Sequence, residues 1–109
     1  MSIHPRDAGV FHNIGNAYAN KGMVDDAINS YRMAVDLDPN LAESYKNMAY
    51  LYQRKGDVSK SISSFEKAAK FNSKDTVLLF DLASAYEANG AQDNAISTYK
   101  KTAKRRPLP

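Results

Sequence analysis

The chain has 109 residues, of which 43% are hydrophobic, and this is enough for one domain with a modest core. It has no cysteine, which excludes disulfides and thiolate metal sites. No segment approaches the roughly 20 apolar residues of a membrane span, and the N-terminus lacks the apolar stretch of a signal peptide. We therefore expect a cytoplasmic, or at least intracellular, protein without a membrane partner.

Self-similarity with a period of 34 residues runs through the chain. An N-terminal extension, 1–7, precedes three ungapped blocks at 8–41, 42–75 and 76–109. Three block positions carry the same residue each time: Tyr18, Tyr52 and Tyr86 at position 11, Gly22, Gly56 and Gly90 at position 15, and Ile28, Ile62 and Ile96 at position 21. A period of this length is typical of proteins built from stacked units.

Each block predicts two amphipathic helices. Apolar residues recur at block positions 4, 7, 8 and 11, and again at 20, 21, 24, 27 and 28, which is the spacing of one helical face. The shared glycine between them suits the left-handed conformation at a helix end. Asp7, Asn40 and Asp75 are the predicted N-caps of the first helices. The sequence thus predicts an all-α protein of six helices.

Small and aromatic residues alternate across each predicted helix pair. Position 8 holds Gly15, Ala49 and Ala83, and such small residues let two helices approach closely. The aromatic residues at positions 11 and 24 are expected to fill the remaining space. Tyr50 and Phe80 fall outside this packing pattern.

These residues resemble the tetratricopeptide repeat family. Block one carries the family pattern in Ile14-Gly15, Tyr18, Ala27, Tyr31, Ala34 and Pro39. Block two has Ser73 in place of the proline, block three has Thr102 in place of an alanine, and Pro107 restores the proline there. The resemblance implies a right-handed α-solenoid of three helix-turn-helix repeats that acts as a scaffold and binds a protein or peptide in a concave groove.

The groove positions of that family fall on the first helix of each block. The candidate partner-binding residues are His12, Asn13, Asn16, Lys46, Asn47, Tyr50, Arg54, Phe80, Ser84 and Glu87. Lys46 and Arg54 would lie about 12 Å apart along one helix, where both can meet acidic groups. Tyr50 and Phe80 are predicted aromatic anchors, a residue type in which interface energy concentrates.

Members of the family that clamp the C-terminal carboxylate of chaperones offer one comparison. Asn16 and Asn47 match the asparagines of that clamp. His12, Val77 and Asp81 stand where it has cations. The sequence therefore argues against a clamp of that design.

The asparagine ladder of the nucleocytoplasmic sugar-transferase repeats offers another comparison. Asn13 and Asn47 match it, whereas Asp81 does not. Asparagines so placed can bond the backbone of a bound peptide. This likeness keeps open an alternative in which the chain is the targeting arm of a larger enzyme, such as a protein glycosyltransferase, or of a subunit in a multiprotein complex.

Sequence patterns of catalysis are absent. There is no glycine-rich phosphate loop, no lipase-type serine elbow and no pair of histidines at metal-ligand spacing. We therefore expect no enzymatic activity, no cofactor and no metal.

Five basic residues crowd the C-terminus without interleaved aromatics, which argues against nucleic-acid binding. They are Lys100, Lys101, Lys104, Arg105 and Arg106.

Block position 30 changes character along the chain. It is Leu37 in block one and Phe71 in block two, but Arg105 in block three. This change favours an array that ends with the third repeat, whereas the lack of a separate polar capping helix leaves open a fragment of a longer protein. Ile96 and Tyr99 would then be only partly covered, and we expect weak end-to-end self-association through the third repeat.

Overall fold

The computed structural model describes residues 7–105, without the side chain of Arg105. The predicted extension lies outside the described residues except for Asp7, and so do Arg106 and Pro107. Residues 7–105 form six α-helices and no strand, which confirms the predicted all-α class. The helices are α1 (Ala8–Asn20), α2 (Val24–Leu37), α3 (Ala42–Lys55), α4 (Val58–Phe71), α5 (Thr76–Ala88) and α6 (Gln92–Arg105).

The helices pack as three consecutive pairs. The contacts within pairs, α1 with α2, α3 with α4 and α5 with α6, are more extensive than the contacts that join one pair to the next. The joints between pairs are formed by α2 with α3 and by α4 with α5. Stacking of this kind gives an elongated body of 48 × 30 × 22 Å, a helical solenoid of three helix-turn-helix repeats.

A glycine lies in the turn that ends the first helix of each pair, as predicted; Gly56 is itself the C-cap of α3, whereas Gly22 and Gly90 follow the C-caps Lys21 and Asn89. Gly22, Gly56 and Gly90 have φ angles of 77°, 79° and 80°, the left-handed region that other residues enter only with strain. The reversal between the paired helices therefore depends on the residue at block position 15.

Two of the three predicted N-caps are confirmed. The Asp7 carboxylate accepts a hydrogen bond from the backbone N–H of Gly9 at 2.8 Å, and Asp75 accepts one from Leu78 at 3.0 Å.

The prediction of Asn40 as the third cap is wrong. The backbone N–H of Asn40 bonds the Asp38 carboxylate at 3.1 Å in the connecting turn, so α3 begins one residue later, after Leu41. Leu41 is partly buried against the core and makes no side-chain cap. A cap that was not predicted is Asp57, which accepts from Lys60 N–H at 3.1 Å at the start of α4.

Small residues at the predicted packing positions face the partner helix in the first two pairs. A Cβ atom built on Gly15 would lie 2.6 Å from the buried ring of Tyr31, a separation at which something must shift. In the second repeat, Ser61 is fully buried and its hydroxyl donates to the carbonyl of Ala49 at 2.9 Å. Phe65, also fully buried, fills the core of that repeat. The sequence therefore places these residues in the core correctly.

Candidate functional site

A cavity of about 470 Å³ opens between α1 and α3, and we call it the groove. Its lining residues are Asn16, Ala19, Asn20, Tyr31, Asn47, Tyr50, Leu51 and Arg54. The structure thus brings together four of the predicted partner-binding residues, Asn16, Asn47, Tyr50 and Arg54.

A hydrogen-bond network joins the first two repeats inside the groove. The hydroxyl of Tyr31 donates to Asn16 Oδ1 at 2.5 Å, and Nδ2 of Asn47 lies 3.3 Å from that same oxygen and 3.4 Å from the Tyr31 oxygen. Burial raises the pKa of Tyr31 above its usual value, against a smaller opposing effect of the bond with Asn47. Among residues 7–105, this network leaves Nδ2 of Asn16 and Oδ1 of Asn47 without partners. The groove therefore offers one amide donor and one amide acceptor.

Tyr50 is fixed at the junction of the second and third repeats. Its hydroxyl donates to the Asp81 carboxylate of α5, and its ring meets Phe65 edge-on with centroids 5.2 Å apart. Burial, and then the bond and charge of Asp81, raise the pKa of Tyr50 well above its ordinary value. The hydroxyl is thus neutral and occupied, so Tyr50 can offer mainly the side of its ring to a partner.

The two predicted groove cations differ in their surroundings. Lys46 lies 3.0 Å from Glu43 and 3.6 Å from Asp75, and its exposure is limited. Burial would lower the pKa of Lys46, but the hydrogen bond and charge of Glu43, followed by Asp75, raise it above the usual value. Arg54 is exposed and has no acidic partner among residues 7–105. Arg54 is therefore the more available cation.

His12 and Asn13 do not line the groove cavity. Nδ1 of His12 lies 2.6 Å from the hydroxyl of the buried Ser44, and its ring centroid is 5.4 Å from that of Tyr31. His12 therefore belongs to the contact between α1 and α3. Asn13 is exposed on α1, outside the network formed by Asn16 and Asn47.

The predicted residues of the third repeat form a separate surface. Phe80 is 51% exposed, and its ring meets Tyr99 edge-on with centroids 5.5 Å apart. The hydroxyl of Tyr99 lies 3.1 Å from that of Ser84 and donates to Glu87 at 3.0 Å. Tyr99 thus gives Phe80 a packing contact that the sequence does not reveal, while half of the ring remains available. Val77 is 63% exposed one turn before Phe80.

Family models match the chain in tandem. A TPR repeat model matches residues 15–56, and two tetratricopeptide repeat models match residues 42–75 and 78–108. The chain belongs to the tetratricopeptide repeat family.

Solved structures agree with this assignment of a tetratricopeptide repeat fold. Two crystal structures of MamA superimpose with TM-scores of 0.86 and 0.84 at 23% and 21% identity, over 92% and 95% of this chain. The chain spans 58% and 62% of those two proteins, less than two thirds of their length. The first TPR of Spaghetti (RPAP3), bound to the HSP90 peptide SRMEEVD, gives a TM-score of 0.82 at 24% identity, over 98% of this chain and 85% of that one. These similarities show the fold. None of the curated proteins compared matches the sequence.

Two residues of this tetratricopeptide repeat groove were not predicted. The packing pattern places Tyr31 in the core, but its hydroxyl reaches the groove and joins Asn16 to Asn47. Asp81 departs from the two family patterns, yet its carboxylate accepts the hydrogen bond of Tyr50. Its block position, the same as that of Asn13 and Asn47, was the available indication of a groove-facing role.

Residues 7–105 contain no helix long and apolar enough to cross a membrane. The same range contains no group of three or more His, Cys, Asp or Glu side chains that could hold a metal ion.

Proposed function

We propose that this tetratricopeptide repeat chain is a protein-interaction scaffold that holds an extended segment of another protein in the groove and performs no catalysis itself. The proposal rests on the hydrogen-bond network of Asn16, Tyr31 and Asn47. Among residues 7–105, this network leaves one amide donor, Nδ2 of Asn16, and one amide acceptor, Oδ1 of Asn47, without partners. In an extended segment, the N–H and the C=O of one residue point to the same side, so a single residue can donate to Oδ1 of Asn47 and accept from Nδ2 of Asn16. Recognition of this kind tolerates many side chains on the partner.

Arg54 gives the groove a preference for acidic side chains. Its guanidinium lines the same cavity as the asparagines and has no acidic partner among residues 7–105. A bond from a guanidinium to a carboxylate is charge-assisted and roughly twice as strong as a neutral one. Lys46 does not line this cavity, and Glu43 and Asp75 already offset its charge. The proposed partner therefore places an aspartate or glutamate beside Arg54.

Phe80 supplies an apolar contact beyond the groove. A half-exposed aromatic ring held by Tyr99 loses little conformational freedom when a partner side chain packs on it. The bound HSP90 peptide in the RPAP3 structure supports the general idea that this fold can hold a peptide. The cations of a carboxylate clamp are replaced here at His12, Val77 and Asp81, so the proposed chemistry differs from that clamp.

Affinity capture with a groove variant tests this proposal. We expect the double substitution Asn47→Ala/Arg54→Ala to weaken retention of the natural partner by at least about tenfold, because it removes an amide contact and a charge-assisted bond. The measurement is quantitative mass spectrometry of proteins retained from a lysate of the source cells, followed by a binding isotherm with the retained partner.

The matched control for capture is Asn29→Ala/Lys70→Ala, which likewise removes one asparagine and one basic residue, from exposed positions on α2 and α4. It should retain the partner as wild type does. If the groove variant also retains it with unchanged affinity, the groove is not the binding surface.

A further inference from the structure

A second cavity, of about 320 Å³, lies against another face of α3, between α2 and α4, and we call it the outer pocket. It shares no lining residue with the groove. The inference drawn from it is therefore independent of the proposed partner-binding function.

Three cations from two helices line the outer pocket: Arg32 of α2, and Lys60 and Lys67 of α4. Nη2 of Arg32 donates to the hydroxyl of Tyr52 at 2.9 Å. Nζ of Lys60 lies 5.8 Å from the ring centroid of Tyr52, and Nζ of Lys67 lies 5.8 Å from that of Tyr45. Cations at this distance are attracted to an aromatic face. Two tyrosines of α3 thus hold all three positive groups around the pocket.

Acidic groups only partly offset these cations. Asp36 is the one carboxylate in the lining, so three cations and one anion leave a formal charge of +2. Asp57 lies 4.0 Å from Lys60, at the limit of an ion pair, and Lys60 is mostly exposed. The pocket therefore complements an anion that carries two charges better than one that carries a single charge.

Ser64 adds a hydroxyl group to the lining of the outer pocket. It lines the pocket, is only 6% exposed, and its hydroxyl has no hydrogen-bond partner among the part of the chain that the structure describes. The other buried serines and threonines are all hydrogen-bonded; they are Ser30, Ser44, Ser61, Thr98 and Thr102. No side-chain oxygen that is shut off from solvent lacks a partner among the described residues, so the Ser64 oxygen is open to solvent. Because Ser64 lines the cavity, its hydroxyl can donate to a ligand there.

We propose that the outer pocket binds a phosphoryl group, with Arg32, Lys60 and Lys67 supplying positive charge and Ser64 a hydrogen bond. A phosphoryl group carries close to two negative charges at neutral pH and has three acceptor oxygens, which matches the charge and the donors present. The cavity volume accommodates the group together with part of its carrier. The carrier is either a small phosphorylated molecule or a phosphorylated side chain.

An amide NMR titration of the full chain with inorganic phosphate tests the proposal. Acetate and chloride at the same ionic strength are the comparison ligands. We expect saturable shifts at Ser63, Ser64 and Tyr52 with phosphate, and no saturable shift there with acetate or chloride. Equal saturation by acetate, or no saturation by phosphate, would overturn the proposal without any substituted protein.

Variants locate the site. Arg32→Gln/Lys67→Gln is expected to weaken phosphate binding at least about tenfold, since it removes two charge-assisted contacts. Lys70→Gln removes one positive charge from α4 outside the pocket, as Lys67→Gln does inside it. It should change the affinity for phosphate by less than about twofold. Far-UV circular dichroism confirms that each variant is folded. A folded double variant that binds phosphate as wild type does contradicts the site.

The carrier is distinguished by comparing free O-phosphoserine with an end-blocked flexible peptide that contains one phosphoserine. Tighter binding of the peptide supports a phosphorylated protein, and tighter binding of the free amino acid supports a small molecule. Failure of both to displace inorganic phosphate from Ser64 would overturn the proposal, whatever the groove binds.

Discussion

Replacing Phe65 with alanine is expected to lower the free energy of unfolding by about 3–5 kcal/mol. The Phe65 side chain is 0% exposed, and its ring packs against Tyr50 in the centre of the second repeat. Truncation leaves a cavity where α3 and α4 meet, and the second repeat is the one that contacts both neighbours. Urea-induced unfolding followed by circular dichroism measures the loss.

The matched control is the same substitution at Phe80, whose ring is half exposed. Phe80→Ala should lower the free energy of unfolding by only about 1 kcal/mol, because the ring of Phe80 buries less apolar surface than that of Phe65. It should instead weaken partner binding. Equal destabilisation by the two substitutions would show that the core is not centred on Phe65.

Replacing Gly15 with leucine is expected to lower the free energy of unfolding by about 3 kcal/mol. A Cβ at this position already lies 2.6 Å from the ring of Tyr31, and leucine adds three more carbon atoms in the same direction. The buried ring must move, and its hydroxyl then leaves Asn16 and Asn47. One substitution should therefore disturb both the first repeat and the groove.

Two further substitutions on α1 serve as comparisons for Gly15→Leu. Gly15→Ala should be milder, because the helix propensity of alanine offsets about 1 kcal/mol of the strain. Ala17→Leu adds similar bulk on an exposed position of the same helix and should change stability by less than about 0.5 kcal/mol. If Gly15→Leu is no more destabilising than Ala17→Leu, the close contact between α1 and Tyr31 is wrong.

The sequence predicts the helix pairs well because their determinants are local and repeated. The glycines at block position 15 allow the left-handed backbone of the turn, and the apolar spacing on either side fixes two helical faces. The failure at Asn40 has a local cause too: Asp38 bonds the Asn40 N–H and delays the start of α3 by one residue. The sequence alone does not distinguish Asn40 from Leu41 as the residue before α3, because the choice depends on the geometry of that turn.

The groove is predicted less completely, because its chemistry depends on contacts between repeats. Lys46 is partly neutralised by Asp75, which is distant in sequence and belongs to the connection before α5. Tyr50 is likewise held by Asp81 of the next repeat. A periodic pattern shows which residues face the groove, but it does not show which of them are already paired. Lys46 is already paired with acidic side chains, whereas Arg54 has no acidic partner among residues 7–105.

Tyr31 shows why core and site cannot be fully separated by pattern. Its ring occupies the aromatic packing position against Gly15, whereas its hydroxyl joins the two groove asparagines. An amphipathic side chain can serve both roles, because one end is apolar and the other is polar. The sequence identifies the first role through its spacing and gives no indication of the second.

The most direct test of partner binding in the groove is site-specific photocrosslinking. A photoreactive amino acid replaces either Asn20, which lines the groove, or Asn29, which lies on the exposed side of α2. Each protein is irradiated with the captured partner, and covalent products are identified by mass spectrometry. The proposed function predicts a covalent product from position 20 and none from position 29. A product from position 29 with none from position 20 would contradict it.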